Sequence, residues 1–564
     1  MTLALVVLVK NIKNVVCGKH IAKQKSMSEQ TKTNNGFLGF LGKLIFTLFL
    51  ISCAILMAGA LIISYPKFNI SYAVWFAFIP FTYIITRVKR DSSALTFGWL
   101  IGFLFYFGFL YWIIPTCQMG GLSKELSYLS LFLLSFVLSI KFAIFAVISK
   151  HLTKLGKFFP LFCAFAWVGL EWIDVLCSYL FTGFPWFLLG YSQWQNLSIM
   201  QISSITGVFG VSFIIVLVSV SIGYLFTPNK ENSGKAPVLL GSLLLLGLLH
   251  INGSQIVSKT EKKEITGENT KIKIALIQPN INQYTKWDPG QVAFIKKTLK
   301  DMSEKAVIEY QPDLVVWPES SIPGYINTPE LKDWVSLVAK QNNTPFLIGA
   351  MQKQKTIEGE KDYFQHVSAH LISNTGVILQ DYHKQVLVPF GEYVPLKDSL
   401  IKWFPSIDVI GFLGGFTAGL KDQQPFTVKG VKFGPSICFE GLFPQVFRDF
   451  ENKGAQFFIN ITNDSWYLDT AAPYQHFTTS VFRAVETARP ILRLSNNGVS
   501  GTISRTGRVQ KSTLLNKQEI LLVELTIPKE EEQTIYSNVG DIFALICLLL
   551  FVLGLFLVLV FNKD

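Results

Sequence analysis

Charge is the scarcest ingredient of this chain. Only 16% of its residues are charged, against about 25% in an ordinary soluble domain, while half are hydrophobic and 48 are Phe. That balance excludes a fully solvated globule and points to a membrane protein. The net charge is +12, but the Lys and Arg residues flank apolar runs rather than forming basic stripes, so no nucleic-acid partner is expected. The cysteines, Cys17, Cys53, Cys117, Cys163, Cys177, Cys438 and Cys547, form no CxxC pair and no metal-ligand spacing. Cys438 stands alone in the long polar segment, which therefore holds no internal disulfide. GxGxxG, P-loop and HExxH patterns are absent, which leaves nucleotide and zinc chemistry without a motif. No metal and no organic cofactor is expected.

What is present is a set of apolar runs over residues 44–63, 70–86, 95–114, 126–149, 158–173, 205–226 and 238–251, with an eighth at 542–560. The first has about twenty residues, enough for one helical crossing. Lys and Arg in the short loops set the orientation. The loops after the second, fourth and sixth runs carry Arg87, Lys89, Arg90, Lys150, Lys154, Lys157, Lys230 and Lys235, whereas the alternate loops carry Lys67 and Lys124. The basic loops and both termini are thus expected in the cytoplasm. The predicted organisation is a basic cytoplasmic tail over 1–41, seven transmembrane helices over 42–252, an outer domain over 253–540, an eighth helix over 541–561, and a short cytoplasmic tail over 562–564. Residues 3–9 are apolar but too short to span, and no small-residue cleavage site follows, so a cleaved signal peptide is not expected. Met27 stands beside Met1 as a candidate start. The loop 174–194 carries no basic residue and contains Thr182-Gly183-Phe184-Pro185-Trp186. It reads either as an interfacial aromatic belt or as a mouth for lipid.

The outer segment alternates strand and helix patterns. Strands are predicted at 273–278, 314–317, 346–350, 367–372, 377–379, 431–437, 456–461, 491–494 and 501–504. An amphipathic helix is predicted over 292–310, with Ile295, Leu299, Met302 and Ala306 on one face. This is the pattern of a layered sheet-and-helix domain.

Three strand ends carry groups fit for acyl chemistry. Glu319 follows a buried strand and Pro318, which holds a carboxylate stiffly and partly desolvated, as a general base requires. Lys384 lies in a rigid run that includes Pro389 and Pro395, where an ammonium can donate to a developing oxyanion. Cys438 ends the strand 431–437 just before a turn and a potential helix at Leu442-Phe443-Pro444, where a helix end lowers a thiol pKa. His383 sits beside Lys384 on an extended segment and so points to the other side; it is not expected to be the base. Together these give a Cys-Lys-Glu site. Glu319 takes the thiol proton, Cys438 attacks a carbonyl, and Lys384 with a backbone N–H stabilises the oxyanion.

At these residues the sequence resembles the carbon–nitrogen hydrolase (nitrilase) superfamily. Over nearly its whole length it resembles the membrane-bound branch, the apolipoprotein N-acyltransferases. The resemblance rests on Thr182-Gly183-Phe184-Pro185-Trp186, Gln278-Pro279-Asn280-Ile281-Asn282-Gln283 with Lys286-Trp287, and Trp317-Pro318-Glu319. It extends over the block 384–395, Ile437-Cys438-Phe439-Glu440, Asn463-Asp464-Ser465-Trp466, Gln475-His476, Arg489-Pro490 and Ser495-Asn496-Asn497-Gly498. It implies an αββα nitrilase-like sandwich on the outer face of an eight-helix membrane domain, in the bacterial cytoplasmic (inner) membrane. The acyl donor it implies is a phospholipid, usually phosphatidylethanolamine. The chain is held as a thioester and passed to the α-amino group of a lipoprotein's diacylglyceryl-cysteine. It implies Glu319 as base, Lys384 as oxyanion stabiliser and Cys438 as nucleophile, supported by Glu392, Glu440, Phe439, Trp287 and Trp466, with lipid entering past Phe184, Pro185 and Trp186. A monomer is expected. Phe439 stands where Tyr is common, and Leu468 where Gly is common. Residues 403–416 read as an apolar flap. The rival readings are a membrane-anchored amidohydrolase, in which water resolves the thioester, and a non-catalytic lipid-binding scaffold.

Overall fold

The computed structural model describes residues 28–180, 184–227, 234–266, 269–286, 288–355, 363–396, 402, 415–528 and 533–561. Trp287, most of the predicted flap (403–414) and Thr182-Gly183 lie outside the described residues. The chain divides into two compact units, residues 1–52 and 53–564. In the first, residues 28–52 are helical. The stretch 28–41, within the predicted tail, is helical, because a helix nucleated by an apolar span propagates cheaply into its flank.

The second unit holds the remaining apolar helices and the α/β domain. The eight predicted apolar runs fall largely on helix, with breaks at 110–112 and at Gly207. Among the described residues, five helical stretches are long and apolar enough to cross a membrane: Phe40–Ile63, Asp91–Phe109, Lys124–Ser178, Lys235–Glu264 and Ile542–Val560. Shorter apolar helices are Ser71–Ile85, Leu197–Thr206 and Phe209–Leu225. The stretch Lys124–Ser178 is interrupted at Ser139 and at the turn Thr153–Phe158, where Gly156 takes a non-helical conformation. The following helix, Phe159–Leu180, outruns the predicted span. Asp174 within it is held by Lys141 at 2.6 Å, a pairing that keeps a carboxylate inside the helix. Helix Lys235–Thr266 likewise runs past its apolar part. Its polar extension is bound by the α/β domain through Arg505–Glu264 and Arg508–Glu261, both at 2.8 Å.

Among the described residues, twelve strands form two six-stranded sheets. The first sheet uses β1 (Asn269–Gln278), β2 (Leu314–Trp317), β3 (Phe346–Lys355), β4 (Tyr363–Ile372) and β5 (Ile378–His383). The second uses β6 (Phe426–Val428), β7 (Val431–Ile437), β8 (Phe457–Thr462), β9 (Ile491–Ser495), β10 (Gly501–Ile503) and β11 (Val509–Ser512). β12 (Glu519–Pro528) returns to the edge of the first, giving the order β12-β1-β2-β3-β4-β5 beside β6-β7-β8-β9-β10-β11. Each sheet has a parallel centre, β1-β2-β3 or β7-β8-β9, flanked by antiparallel strands. Parallel neighbours need crossovers, and helices supply them. Val292–Tyr310 and Pro329–Asn342 cross over the first sheet, Pro444–Asn452 and Ala472–Thr487 over the second.

The predicted face Ile295, Leu299, Met302 and Ala306 packs on Val315, Trp317 and Phe346 in one apolar core, where Ser303 accepts the Trp317 indole N–H at 2.9 Å. The sheets meet where β1 lies against β9 and β4 against β7. The outcome is the αββα sandwich that the resemblance implies. The central β7 and β8 are almost wholly buried, as parallel strands covered on both faces must be.

Polar anchors fix this sandwich to the apolar helices. Glu486 accepts the Val208 N–H at 3.0 Å, at the start of helix Val208–Leu225, and pairs with Arg483 at 2.6 Å. Asp541, just before the last helix, accepts from Tyr536 at 2.7 Å and from the Trp172 indole at 3.3 Å. Glu486→Ala is expected to lower stability by about 3–5 kcal/mol, because it leaves the Arg483 guanidinium buried without its partner. The unfolding temperature in detergent measures this. Glu486→Gln, which keeps an acceptor for Val208, should fall less. An unchanged melting curve for Glu486→Ala would remove this anchor.

Candidate active site

Glu319 is set by the short strand β2 and by what passes next to it. Pro318 stiffens the strand exit, and Ser321 donates both its N–H (2.8 Å) and its hydroxyl (3.0 Å) to the Gly349 carbonyl. A Cβ at Gly349 would overlap the Pro318 carbonyl and the Glu319 backbone; only glycine lets β3 run this close. The Glu319 side chain, 7% exposed, is thereby aimed inward.

Lys384 continues the β4–β5 pairing by one residue, its N–H donating to the Val367 carbonyl at 2.9 Å. Its Nζ, wholly buried, lies 2.6 Å from Glu392 and 3.4 Å from Glu319. Burial alone would strip its proton, but Glu392 and then Glu319 reverse that and hold its pKa above the ordinary lysine value. Burial in turn pushes Glu392 up, with Lys384 opposing and Glu319 reinforcing. Two carboxylates and one ammonium share a dry site, so an added proton neutralises the cluster. That is the condition a general base needs. Glu392 is fixed in a tight turn by the Val388 N–H at 2.8 Å. His383 points away, as expected: it bonds Ser368 at 2.8 Å and stacks on His366 at 4.5 Å, and burial followed by His366 holds it down to about 4.

Cys438 leaves the buried strand β7 in the left-handed region, with φ of 51°. Non-glycine residues are held there only under constraint. Two buried groups supply it. Glu440 accepts N–H bonds from Ile437 (2.7 Å), Gln385 (2.5 Å) and Val386 (3.2 Å) and the Tyr382 hydroxyl (2.8 Å). It therefore clamps the cysteine turn to the segment after Lys384. Burial pushes Glu440 up to about 7 despite these donors. His476 Nε2 lies 3.1 Å from the Cys438 carbonyl, and its Nδ1 lies beside Asp464, which Arg493 holds at 3.0 Å. The expected lowering of the thiol pKa is overturned. Helix Pro444–Asn452 begins only after a 3₁₀ turn, Cys438–Leu442. Burial, and then the Glu319 charge, push the thiol up; Lys384 pulls against them.

The aromatic stretch after residue 183 reaches this turn. Phe184 stacks on Trp186 (5.6 Å) and on Phe439 (6.5 Å), and Trp186 lies 5.2 Å from His476. Pro185 is buried. Gln475 accepts from both the Trp112 and Trp186 indoles, at 3.0 and 2.9 Å. Trp466 is partly exposed; the ring that meets Trp112 and Trp186 is its neighbour Tyr467. Sequence reasoning missed Trp112, Tyr467 and the Asp464–Arg493 pair, and gave no role to Lys286. That lysine is 3% exposed, its Nζ is 3.3 Å from the Glu319 carbonyl, and burial lowers it to about 8. Proximity of Glu392 and Glu440 to the site was legible only through the resemblance. Among the described residues no group of three or more His, Cys, Asp or Glu side chains converges to hold a metal.

Residues 57–221 match the family described as apolipoprotein N-acyltransferase N-terminal domain, and residues 273–536 match carbon–nitrogen hydrolase. The chain is 33% identical to an apolipoprotein N-acyltransferase of Geobacter metallireducens, covering 88% of this chain and 92% of that one. It is 32% identical to that of Rickettsia typhi, covering 86% and 94%, and 32% identical to that of Brucella suis, covering 78% and 82%. Among solved structures it is similar to a carbon–nitrogen hydrolase of Helicobacter pylori G27, at 17% identity and a TM-score of 0.35, over 45% of this chain and 89% of that one.

The raised thiol has a direct readout. A group whose pKa is raised is less ionised at any given pH, so alkylation of Cys438 by iodoacetamide should be slow at neutral pH. Its rate should still climb well above about 8.5, the range where an ordinary thiol levels off. Lys384→Met should slow it further. Peptide mass spectrometry measures both, and fast alkylation at neutral pH would contradict the burial argument.

Proposed function

The chain belongs to the apolipoprotein N-acyltransferase family and is an acyltransferase of the carbon–nitrogen hydrolase superfamily, and from that premise we propose how its own residues carry the reaction. Cys438 is the nucleophile, Glu319 the base and Lys384 the oxyanion stabiliser. Glu319 removes the thiol proton and Sγ bonds to an ester carbonyl carbon of a phospholipid, with phosphatidylethanolamine as the preferred donor. The displaced π pair settles on the carbonyl oxygen, facing Lys384. When the tetrahedral species collapses, the C–O bond breaks and the lysophospholipid oxygen takes the proton back from Glu319. The acyl chain remains on Cys438 as a thioester, which the α-amino group of a diacylglyceryl-cysteine then resolves in a ping-pong sequence.

Glu392 holds Lys384 charged, and Glu440 joins the lysine and cysteine segments. Phe439 packs the turn, and family resemblance gives Trp287 and Trp466 supporting roles. Phe184, Pro185 and Trp186 form the lipid approach. The observation that carries this reading is that the three strand-end groups converge: Lys384 lies 3.4 Å from Glu319, and both act on Cys438, whose neighbour Phe439 stacks on Phe184. A thiol that meets lipids where they lie avoids drawing acyl chains into water, at about 0.8 kcal/mol per CH₂. The alternation of basic loops supports eight membrane helices, a catalytic domain of residues 253–540 on the periplasmic face of the cytoplasmic membrane, and cytoplasmic termini. The enzyme acts as a monomer.

Incubated with labelled phospholipid, the purified protein should gain one acyl group on Cys438, seen by mass spectrometry. Glu319→Gln should cut thioester formation by about a hundredfold or more without loss of folding. Full transfer by Cys438→Ser would sink the covalent route. For topology, a cysteine placed at the exposed Lys297 should react with an impermeant maleimide from the periplasmic side; labelling only from the cytoplasm would reverse the orientation.

A further inference from the structure

The two half-reactions differ in their proton balance. Thiol plus ester gives thioester plus alcohol, with no net proton. Thioester plus an alkylammonium gives amide, thiol and one released proton. Of the three N–H protons of the ammonium, one stays on the amide and one returns to Cys438. Glu319 can relay that second proton from nitrogen to sulfur, but the third needs a different acceptor. It must leave before attack, because a protonated amine has no lone pair. Lys384 cannot take it, since Glu392 at 2.6 Å and Glu319 at 3.4 Å keep it an ammonium.

A second lysine stands at the site. Lys286 ends the short helix Gln283–Lys286 in the loop after β1. That loop is bolted to the end of β9: Asn496 accepts from the Ile281 N–H at 3.1 Å and donates to the Ile281 carbonyl at 2.7 Å. Gln283 accepts from Asn463 at 2.9 Å. The Lys286 side chain is 3% exposed, and its Nζ reaches the carbonyl of Glu319 itself at 3.3 Å. Glu319 and Cys438 both act on its charge, and each favours the ammonium. Burial outweighs both and brings it down to about 8, alongside an α-amino group at about 7.7–8.0. Proton exchange between two such amines is nearly thermoneutral, which favours a base working near ambient pH.

We infer that Lys286, as the neutral amine, is the base that takes the proton from the incoming α-ammonium group. The inference rests on the acyltransferase reading above. Lys286 accepts one proton and becomes an ammonium. The freed lone pair attacks the thioester carbon, and the C–S bond breaks. Glu319 passes the next nitrogen proton to the leaving thiolate, and Lys286 releases its proton to water before the next turnover.

The test separates the half-reactions on the full chain in detergent. Wild type, Lys286→Met and Lys286→Arg are acylated with labelled phospholipid, then offered either a diacylglyceryl-cysteinyl peptide or hydroxylamine, which is already neutral at neutral pH. Both variants should form the thioester but transfer it to the peptide about a hundredfold or more slowly. Hydroxylamine should discharge all three proteins at similar rates. Raising the pH should recover peptide transfer by the variants. Arginine keeps the charge and fills the space but cannot shed its proton, so rescue by Lys286→Arg would show a structural or electrostatic role and overturn the inference. Equal slowing with hydroxylamine, or unchanged peptide transfer by Lys286→Met, would also overturn it. A wild-type thioester that no amine discharges would sink the acyltransferase reading instead.

Discussion

The buried ammonium of Lys384 is the constraint around which the site is built. A lone lysine in a dry interior loses its proton. Here Glu392 and Glu319 flank it on one side of the sandwich. Removing either carboxylate would alter the charge of the whole cluster. The surrounding hydrogen bonds keep the geometry from relaxing: Glu392 is tied to Val388, the Lys384 carbonyl accepts from Gly419, and Ser321 is locked to Gly349. Because both carboxylates share one cation, a further proton is welcome, and the thiol nearby is an available donor.

Burial, acting against the pull of Lys384, pushes the Cys438 thiol up rather than down. Desolvation comes first and the Glu319 charge second in favouring the thiol form. In so dry a site a standing thiolate would be costly and open to oxidation. The strained backbone of Cys438 is stabilised by groups that touch no reacting atom. Glu440 gathers three backbone N–H groups from two separate segments, and His476 meets the cysteine carbonyl. The aromatic sequence Phe184–Trp186 then joins this turn to the helical part of the chain, with Gln475 receiving the indoles of Trp112 and Trp186.

Much of this was legible along the chain. The strand patterns ending at Trp317 and Ile437 coincide with β2 and β7, because buried parallel strands are short unbroken apolar runs. The helix Val292–Tyr310 shows its periodicity openly. Less legible were β6, β11 and β12, which are edge or return strands with mixed faces. The helix Ala472–Thr487 was also missed: it is buried on every side, so its polar residues, His476 and Arg483 among them, serve internal bonds and blur the periodicity. Trp466 was chosen over Tyr467 because the motif names it, whereas ring contacts depend on the turn Asp464–Tyr467.

By itself, the amino-acid order determined the apolar runs, the alternation of basic loops, the α/β character of the long polar segment, and the three strand ends carrying Glu319, Lys384 and Cys438. These are local properties: hydrophobic length, charge position and residue type are written in neighbouring positions. Only the tertiary structure decided which charges meet. That Glu392 sits on Lys384, that Glu440 spans two segments, that Lys286 touches the backbone of Glu319, and that burial raises the Cys438 thiol rather than lowering it all follow from packing between distant segments. Desolvation and short-range charge pairing depend on what closes over a group, and no stretch of sequence carries that information alone.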